Sequence, residues 1–206
     1  MAAPEIVVIT GAVEGDVDEA VVRRLIQHVG AVPGPVHGRN GKAHLHQRLR
    51  GYNQAAHLSP WVVLVDLNHD AGCAPPFRLA WLPDPAPCMC FRVAVREVEA
   101  WLLADLEELA RFLSLPVSQV PMDPEAIDNP KHALVQLAQR SRRREIREDM
   151  VPRLGSGRVV GPAYTSRLIE FVVRATPGWR PDVAARYSGS LDRCLRCLRR
   201  LAKRAK

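Results

Sequence analysis

No apolar run in this chain approaches the roughly 20 residues needed to cross a bilayer's hydrocarbon core. Its 47% hydrophobic content over 206 residues therefore reads as the core of a globular protein. Aromatic residues make up only 5%, and they form no run that would serve as a stacking platform for bases. Lysine is scarce, 4 against 25 arginines. No internal repeat occurs, which excludes solenoid and propeller architectures. The opening residues lack the basic and apolar segments of a secretory signal, and the cytoplasm is the expected compartment. Five cysteines, Cys73, Cys88, Cys90, Cys194 and Cys197, are an odd number and fit no secreted disulfide framework. Cys88-x-Cys90 with Cys194-x-x-Cys197 could in principle form a four-thiolate zinc site. Their apolar strand and leucine-bearing helix settings favour small buried residues instead.

Two nucleotide signatures are also missing. Val8-Ile9-Thr10-Gly11 resembles the start of a dinucleotide fold, but the later glycines of Gly-x-Gly-x-x-Gly are absent. The Gly-Lys-Ser/Thr of a phosphate-cradling loop is absent too.

What is present centres on Val62-Val63-Leu64-Val65-Asp66-Leu67-Asn68-His69-Asp70. A near-continuous apolar run of this length predicts a buried parallel strand. Residues just past its carboxyl end lie where open α/β sheets hold ligands. Asp66, Asn68 and Asp70 offer oxygen at alternate positions, the donor type that Mg²⁺ takes. A polar loop capping the next helix would look the same.

The surrounding pattern alternates strand and helix. A strand over Glu5–Thr10 leads to a tight turn at 11–15 carrying Glu14, and Asp16-x-x-Glu19 opens a helix ending at Gly30. A short strand near Val36, a helix over 42–57, the central strand, a short helix over 75–82 and a strand over 88–95 follow. This order predicts a parallel sheet covered on both faces. Arg96-Glu97-Val98-Glu99-Ala100-Trp101 then opens a helix with Leu106, Leu109 and Leu113 inward. Its carboxylates suit metal binding or general-base work, and they also suit a helix N-terminus. Beyond a proline-punctuated connection over 114–130, helices are expected over 131–141, around Leu168–Val172, and from Ser190 onward. The last carries Leu191, Cys194, Leu195, Leu198 and Leu201 on one stripe with arginines opposite. That stripe could face the domain, a partner or nucleic acid.

Charge divides along the chain. Residues 1–130 hold 10 Lys/Arg against 16 Asp/Glu, and residues 131–206 hold 19 against 6. An acidic front suited to a metal is joined to a basic back suited to phosphates. The run Arg140-Ser141-Arg142-Arg143-Arg144 is ordinarily a solvated face, yet it could also grip a nucleic-acid backbone.

Three pieces together resemble the Toprim domain shared by topoisomerases, primases and OLD-type nucleases: Val13-Glu14-Gly15-Asp16, the acidic cluster from Asp66, and Glu97-Val98-Glu99-Ala100-Trp101-Leu102-Leu103. The run Arg96–Asp105 with Asn129-Pro130-Lys131 is similar to an uncharacterised Toprim-like family, related to RloB-like proteins and often found beside SMC- or ABC-type ATPases in phage-defence loci. The resemblance implies a Toprim-like (Rossmann-like) α/β domain over 1–113, with a mainly parallel four-stranded sheet, and a basic helical region over 114–206 packed on it. It implies a Mg²⁺-dependent (or Mn²⁺-dependent) nuclease acting on DNA or RNA, the effector of an ATPase-coupled antiphage system. Glu14, Asp66, Glu99 and Lys131 would be catalytic. Glu14, Asp66, Asn68, Asp70, Glu97 and Glu99 would form the metal-binding set. Nucleic acid would be held by the basic carboxyl-terminal half, an SMC- or ABC-type ATPase would be a partner, self-association is a further option, and no membrane is involved. Asn68 stands where the family's Asp-x-Asp has its second aspartate, removing one negative ligand. That departure favours the alternative, a non-catalytic accessory subunit bound to the ATPase through its terminal helix.

Overall fold

The structure is a computed structural model that describes residues 6–204. It contains a four-stranded, all-parallel sheet in the order β2-β1-β3-β4, with β1 Val8–Val13, β2 Val32–Gly38, β3 Trp61–Asp66 and β4 Met89–Ala94. The alternation of strands and helices thus gives the expected α/β, Rossmann-like architecture. The chain divides into two compact units, Met1–Val95 with Ser190–Lys206, and Arg96–Gly189. The residues expected as one α/β region to 113 are therefore split at 95/96, and the last helix belongs with the sheet.

In the first unit the sheet's two faces are built by alternation. Val63, Val65, Phe91 and Val93 form one core with Leu45 and Leu49 of α2 (Gly41–Ala55) and Phe77 of α3 (Ala74–Trp81). The intervening residues face the other side. There Gly11 lies against Val22 of α1 (Asp16–His28); a Cβ on Gly11 would sit 3.2 Å from that side chain and from Val36. Gly11 and Ala12 are strand residues paired to Val36, His37, Val62 and Val63. This corrects the expected strand over 5–10 and the turn starting at 11: small residues are needed where α1 and β2 crowd the strand, and the turn itself is Glu14-Gly15. Glu5 lies outside the described residues.

The terminal helix, which we number α10 (Gly189–Arg204), packs on the same side near β4. Cys194 and Cys197 hydrogen-bond to Cys90, and Ser190 Oγ accepts the Val95 amide at 3.3 Å. Leu191, Leu195, Leu198 and Leu201 are buried, so the apolar stripe left open between domain, partner and nucleic acid is covered by the protein's own sheet.

The second unit is helical: α4 Val98–Leu103, α5 Leu106–Leu113, two 3₁₀ turns at Val117–Gln119 and Pro124–Ala126, α6 Pro130–Gln139, α7 Arg144–Met150, α8 Tyr164–Val173 and α9 Pro181–Ala184. The single helix expected after residue 96 is two. Asp105 breaks it by accepting the Glu108 amide at 3.4 Å as an N-cap, and Leu106 is only half-buried. Asn129 caps α6 by accepting the His132 amide at 2.8 Å, with Pro130 in the first turn, so Asn129-Pro130-Lys131 is a helix start. No helix among the described residues is long and apolar enough to cross a membrane.

Candidate functional site

In the first unit β1 has β2 on one side and β3 on the other, so the chain reverses its winding direction between β1 and β3. Helices leave the carboxyl ends of those two strands to opposite sides, opening a crevice where ligands of such sheets bind. Glu14 follows β1 and Asp66 ends β3, both at that crevice. The tertiary fold joins them directly: the Asp66 amide donates to Glu14 Oε1 at 2.8 Å across 52 residues of sequence. The Glu14 carbonyl in turn accepts the Gly41 amide at 3.1 Å, holding the start of α2 to the end of β1. Glu14 also directly precedes Gly15, the cap of α1.

Asn68 and Asp70 follow on the β3 loop. Asn68 has φ of 50°, the left-handed region that asparagine tolerates better than most side chains. Asp70 forms an ion pair with Lys42 of α2, Nζ to Oδ2 at 2.7 Å, and Lys42 also lies 5.7 Å from the centre of the Phe77 ring. The expected acidic cluster is thereby thinned: Asp70 is engaged by a lysine and Asn68 is neutral.

The second unit holds a separate constellation. Glu97 sits at the cap of α4, Glu99 in its first turn, Lys131 in the first turn of α6, and Tyr164 at the start of α8. The Lys131 ammonium lies 3.4 Å from Glu97 Oε1 and 3.5 Å from Glu99 Oε1, and Glu97 Oε2 also accepts the Lys131 backbone amide at 3.2 Å. Tyr164 donates its hydroxyl to Glu99 Oε1 at 3.4 Å. Burial pushes the Glu99 carboxyl up from its ordinary pKa; Lys131 opposes that shift and Glu97 adds to it. Burial, with Glu99 and then Glu97, raises the Tyr164 phenol well above its usual range. Here a lysine ammonium takes the position between two carboxylates that a divalent cation would take. Tyr164 was not among the residues expected from sequence; it is 65 residues from Glu99, with no local motif to mark it.

No protein-family model, curated protein or solved structure matches this chain.

Among the described residues no three or more His, Cys, Asp or Glu side chains gather into a group able to hold a metal ion. Glu14 and Asp66 by themselves still suit Mg²⁺. That ion takes oxygen donors, keeps several waters, and is commonly bound by one or two carboxylates together with substrate phosphates. The thiols are different: Cys90, Cys194 and Cys197 are buried and all five cysteines are free. Burial pushes the Cys90 thiol up, and the hydrogen bond from Cys90 together with burial does the same at Cys197, so both stay protonated and inert.

Proposed function

We propose that the chain is a metal-dependent phosphodiesterase of the Toprim-like kind, acting on nucleic acid at the crevice between β1 and β3. The observation that carries this reading is the hydrogen bond from the Asp66 amide to Glu14 Oε1, at 2.8 Å, which joins two acidic residues 52 positions apart at the ends of neighbouring strands, at the sheet's switch point. Glu14 and Asp66 would hold Mg²⁺ or Mn²⁺. When bound, such an ion polarises a phosphoryl oxygen and lowers the pKa of a nearby water. The chain's own contribution is orientation. One oxygen of Glu14 is tied to the β3 backbone, and the start of α2 is tied to the Glu14 carbonyl. Lys42 draws Asp70 into an ion pair, so Glu14 and Asp66 would be the carboxylates this crevice offers, with water and phosphate completing the ion's shell.

The test is cleavage of plasmid DNA and of tRNA by the full chain across a Mg²⁺ and Mn²⁺ titration, alongside Glu14→Gln. Glutamine keeps an oxygen to accept the Asp66 amide, so the fold is retained while the charge is lost. Cleavage that drops at least about 100-fold in the variant is expected. Equal cleavage by both proteins would overturn the assignment.

A second reading has its own support: the thinning of the acidic cluster at Asn68 and Asp70 favours an accessory subunit that works with an ATPase and cuts nothing. Absence of cleavage at every metal concentration, with and without the ATPase, would select it.

A further inference from the structure

The excess positive charge of this protein has a single address. Residues 96–189, the second unit, hold 14 Lys/Arg against 13 Asp/Glu, and residues 1–95 hold eight of each. Residues 190–206 hold seven Lys/Arg against one Asp, so this segment carries six of the molecule's seven net charges. Within the second unit several arginines meet its own acids: Arg143 pairs with Glu145, Arg144 with Glu148, Arg167 with Asp149 and Glu170, Arg174 with Glu170, and Arg180 with Asp105. The terminal helix differs. Arg196 pairs with Asp192 at 2.9 Å, but among the described residues Arg193, Arg199, Arg200 and Lys203 have no ion-pair partner.

These side chains share the exposed face of α10, opposite the leucines that bury it against the sheet. With Arg92 of β4 they line a groove of about 490 Å³ whose lining side chains are all cationic. Arg92 and Arg193 also line an adjoining hollow of about 280 Å³, shared with Arg78 of α3. The Nε atoms of Arg92 and Arg78 are buried and have no hydrogen-bond partner, although the Arg92 guanidinium also meets the Cys197 thiol. Buried guanidinium nitrogens left without acceptors are costly, and such groups ordinarily find a partner. A phosphate oxygen is the acceptor that the planar guanidinium fork fits best.

We propose that this α10–β4 groove is the track that grips the sugar–phosphate backbone of a nucleic-acid strand. Its shape favours a polymer over a compact anion. From Arg193 to Lys203 the cationic row extends about 15 Å at 1.5 Å per residue, long enough to meet more than one phosphate of the same strand. Neither hollow has an aromatic side chain in its lining, so the groove reads charge and spacing, not bases. The proposal deepens the phosphodiesterase reading and rests on it for the identity of the polymer.

The experiment is fluorescence anisotropy of labelled oligothymidylates and oligouridylates, 4 to 20 nucleotides long, with the full chain in EDTA, so that binding is read without cleavage. The triple variant Arg193→Gln/Arg199→Gln/Lys203→Gln removes three exposed charges and leaves the buried stripe untouched. The control Arg48→Gln/Arg140→Gln/Arg158→Gln removes three exposed charges elsewhere. Affinity is expected to rise with length until the strand fills the groove and to level off beyond that. The groove variant should bind at least about tenfold more weakly, and its slope of log K against log salt should flatten by about 2, at about 0.7 per phosphate lost; the control should match the wild type. Equal loss in both variants would overturn the proposal. So would a 20-mer that binds no more tightly than tripolyphosphate, or binding to anionic phosphatidylserine vesicles with none to oligonucleotides. Binding that passes these tests in a protein that never cleaves would keep the track and remove only the nuclease assignment.

Discussion

At the scale of single residues, burial perturbs an acid that sequence alone marks only as a helix-start glutamate. Glu99 is buried, and its environment holds the proton more tightly than the unfolded chain does. A raised folded pKa means the native state binds more protons than the unfolded state in the window between the two values. The stabilising contribution is complete below the unfolded carboxylate value and is lost as pH rises through the folded one. Glu99→Gln removes that dependence while leaving Lys131 its second partner, Glu97. The Tm difference, variant minus wild type, should therefore grow as pH rises above about 5. Melting curves at pH 4, 5, 6 and 7 that stay parallel would show that Glu99 is not the titrating group.

At the scale of elements, the helical periodicity of α1, α2 and α10 was legible because each buries one stripe and exposes the rest. Strand ends were harder to read. β1 continues through Gly11 because its neighbours leave no room for a larger side chain, a fact about α1 and β2 that the run Val8–Thr10 does not contain. Gly38, at the end of β2, is a sharper case. Its φ is 97°, and a Cβ there would fall 2.1 Å from the Val13 carbonyl oxygen, the residue just before Glu14. Gly38→Ala should cost about 3 kcal/mol and lower Tm by about 5–10 °C. By shifting the end of β1 it should also reduce any activity that depends on Glu14. Gly51 lies inside α2 with open space around its missing Cβ. Gly51→Ala should instead stabilise by about 1 kcal/mol. Differential scanning calorimetry of the pair checks both signs, and equal shifts would contradict the contact.

At the scale of the molecule, the second unit is held by an ion pair that no local pattern announces. Asp105 is fully buried and accepts from the Arg180 amide at 2.8 Å, from Nε at 3.1 Å and from the guanidinium at 2.7 Å, 75 residues along the chain. Trp179 beside it donates its indole N–H to the Trp101 carbonyl at 3.0 Å. Removing the carboxylate leaves the Arg180 amide without its acceptor and the guanidinium with Glu107 alone. Asp105→Ala should destabilise by about 2–3 kcal/mol, read as a lower urea midpoint; a change under about 1 kcal/mol would mean that solvent replaces the carboxylate. Charge shows the same division between local and global. The basic half visible in the sequence divides into a helical unit whose acids and bases nearly balance and one cationic helix face; Arg143–Glu145, Arg144–Glu148 and Arg167–Glu170 are local pairs, whereas Arg96–Asp128 and Arg180–Asp105 are made by the fold.

The sequence by itself determined the order and type of most elements, the parallel sheet, and the placement of Glu14 and Asp66 at strand ends, since hydrophobic period and turn chemistry act over neighbouring residues. Only the tertiary structure decided which distant groups meet: the Asp66 amide with Glu14, Asp70 with Lys42, Glu99 with Lys131 and Tyr164, and Arg92 with the face of α10. Those pairings depend on strand order and helix packing, which bring together residues dozens of positions apart and leave no periodic trace along the chain.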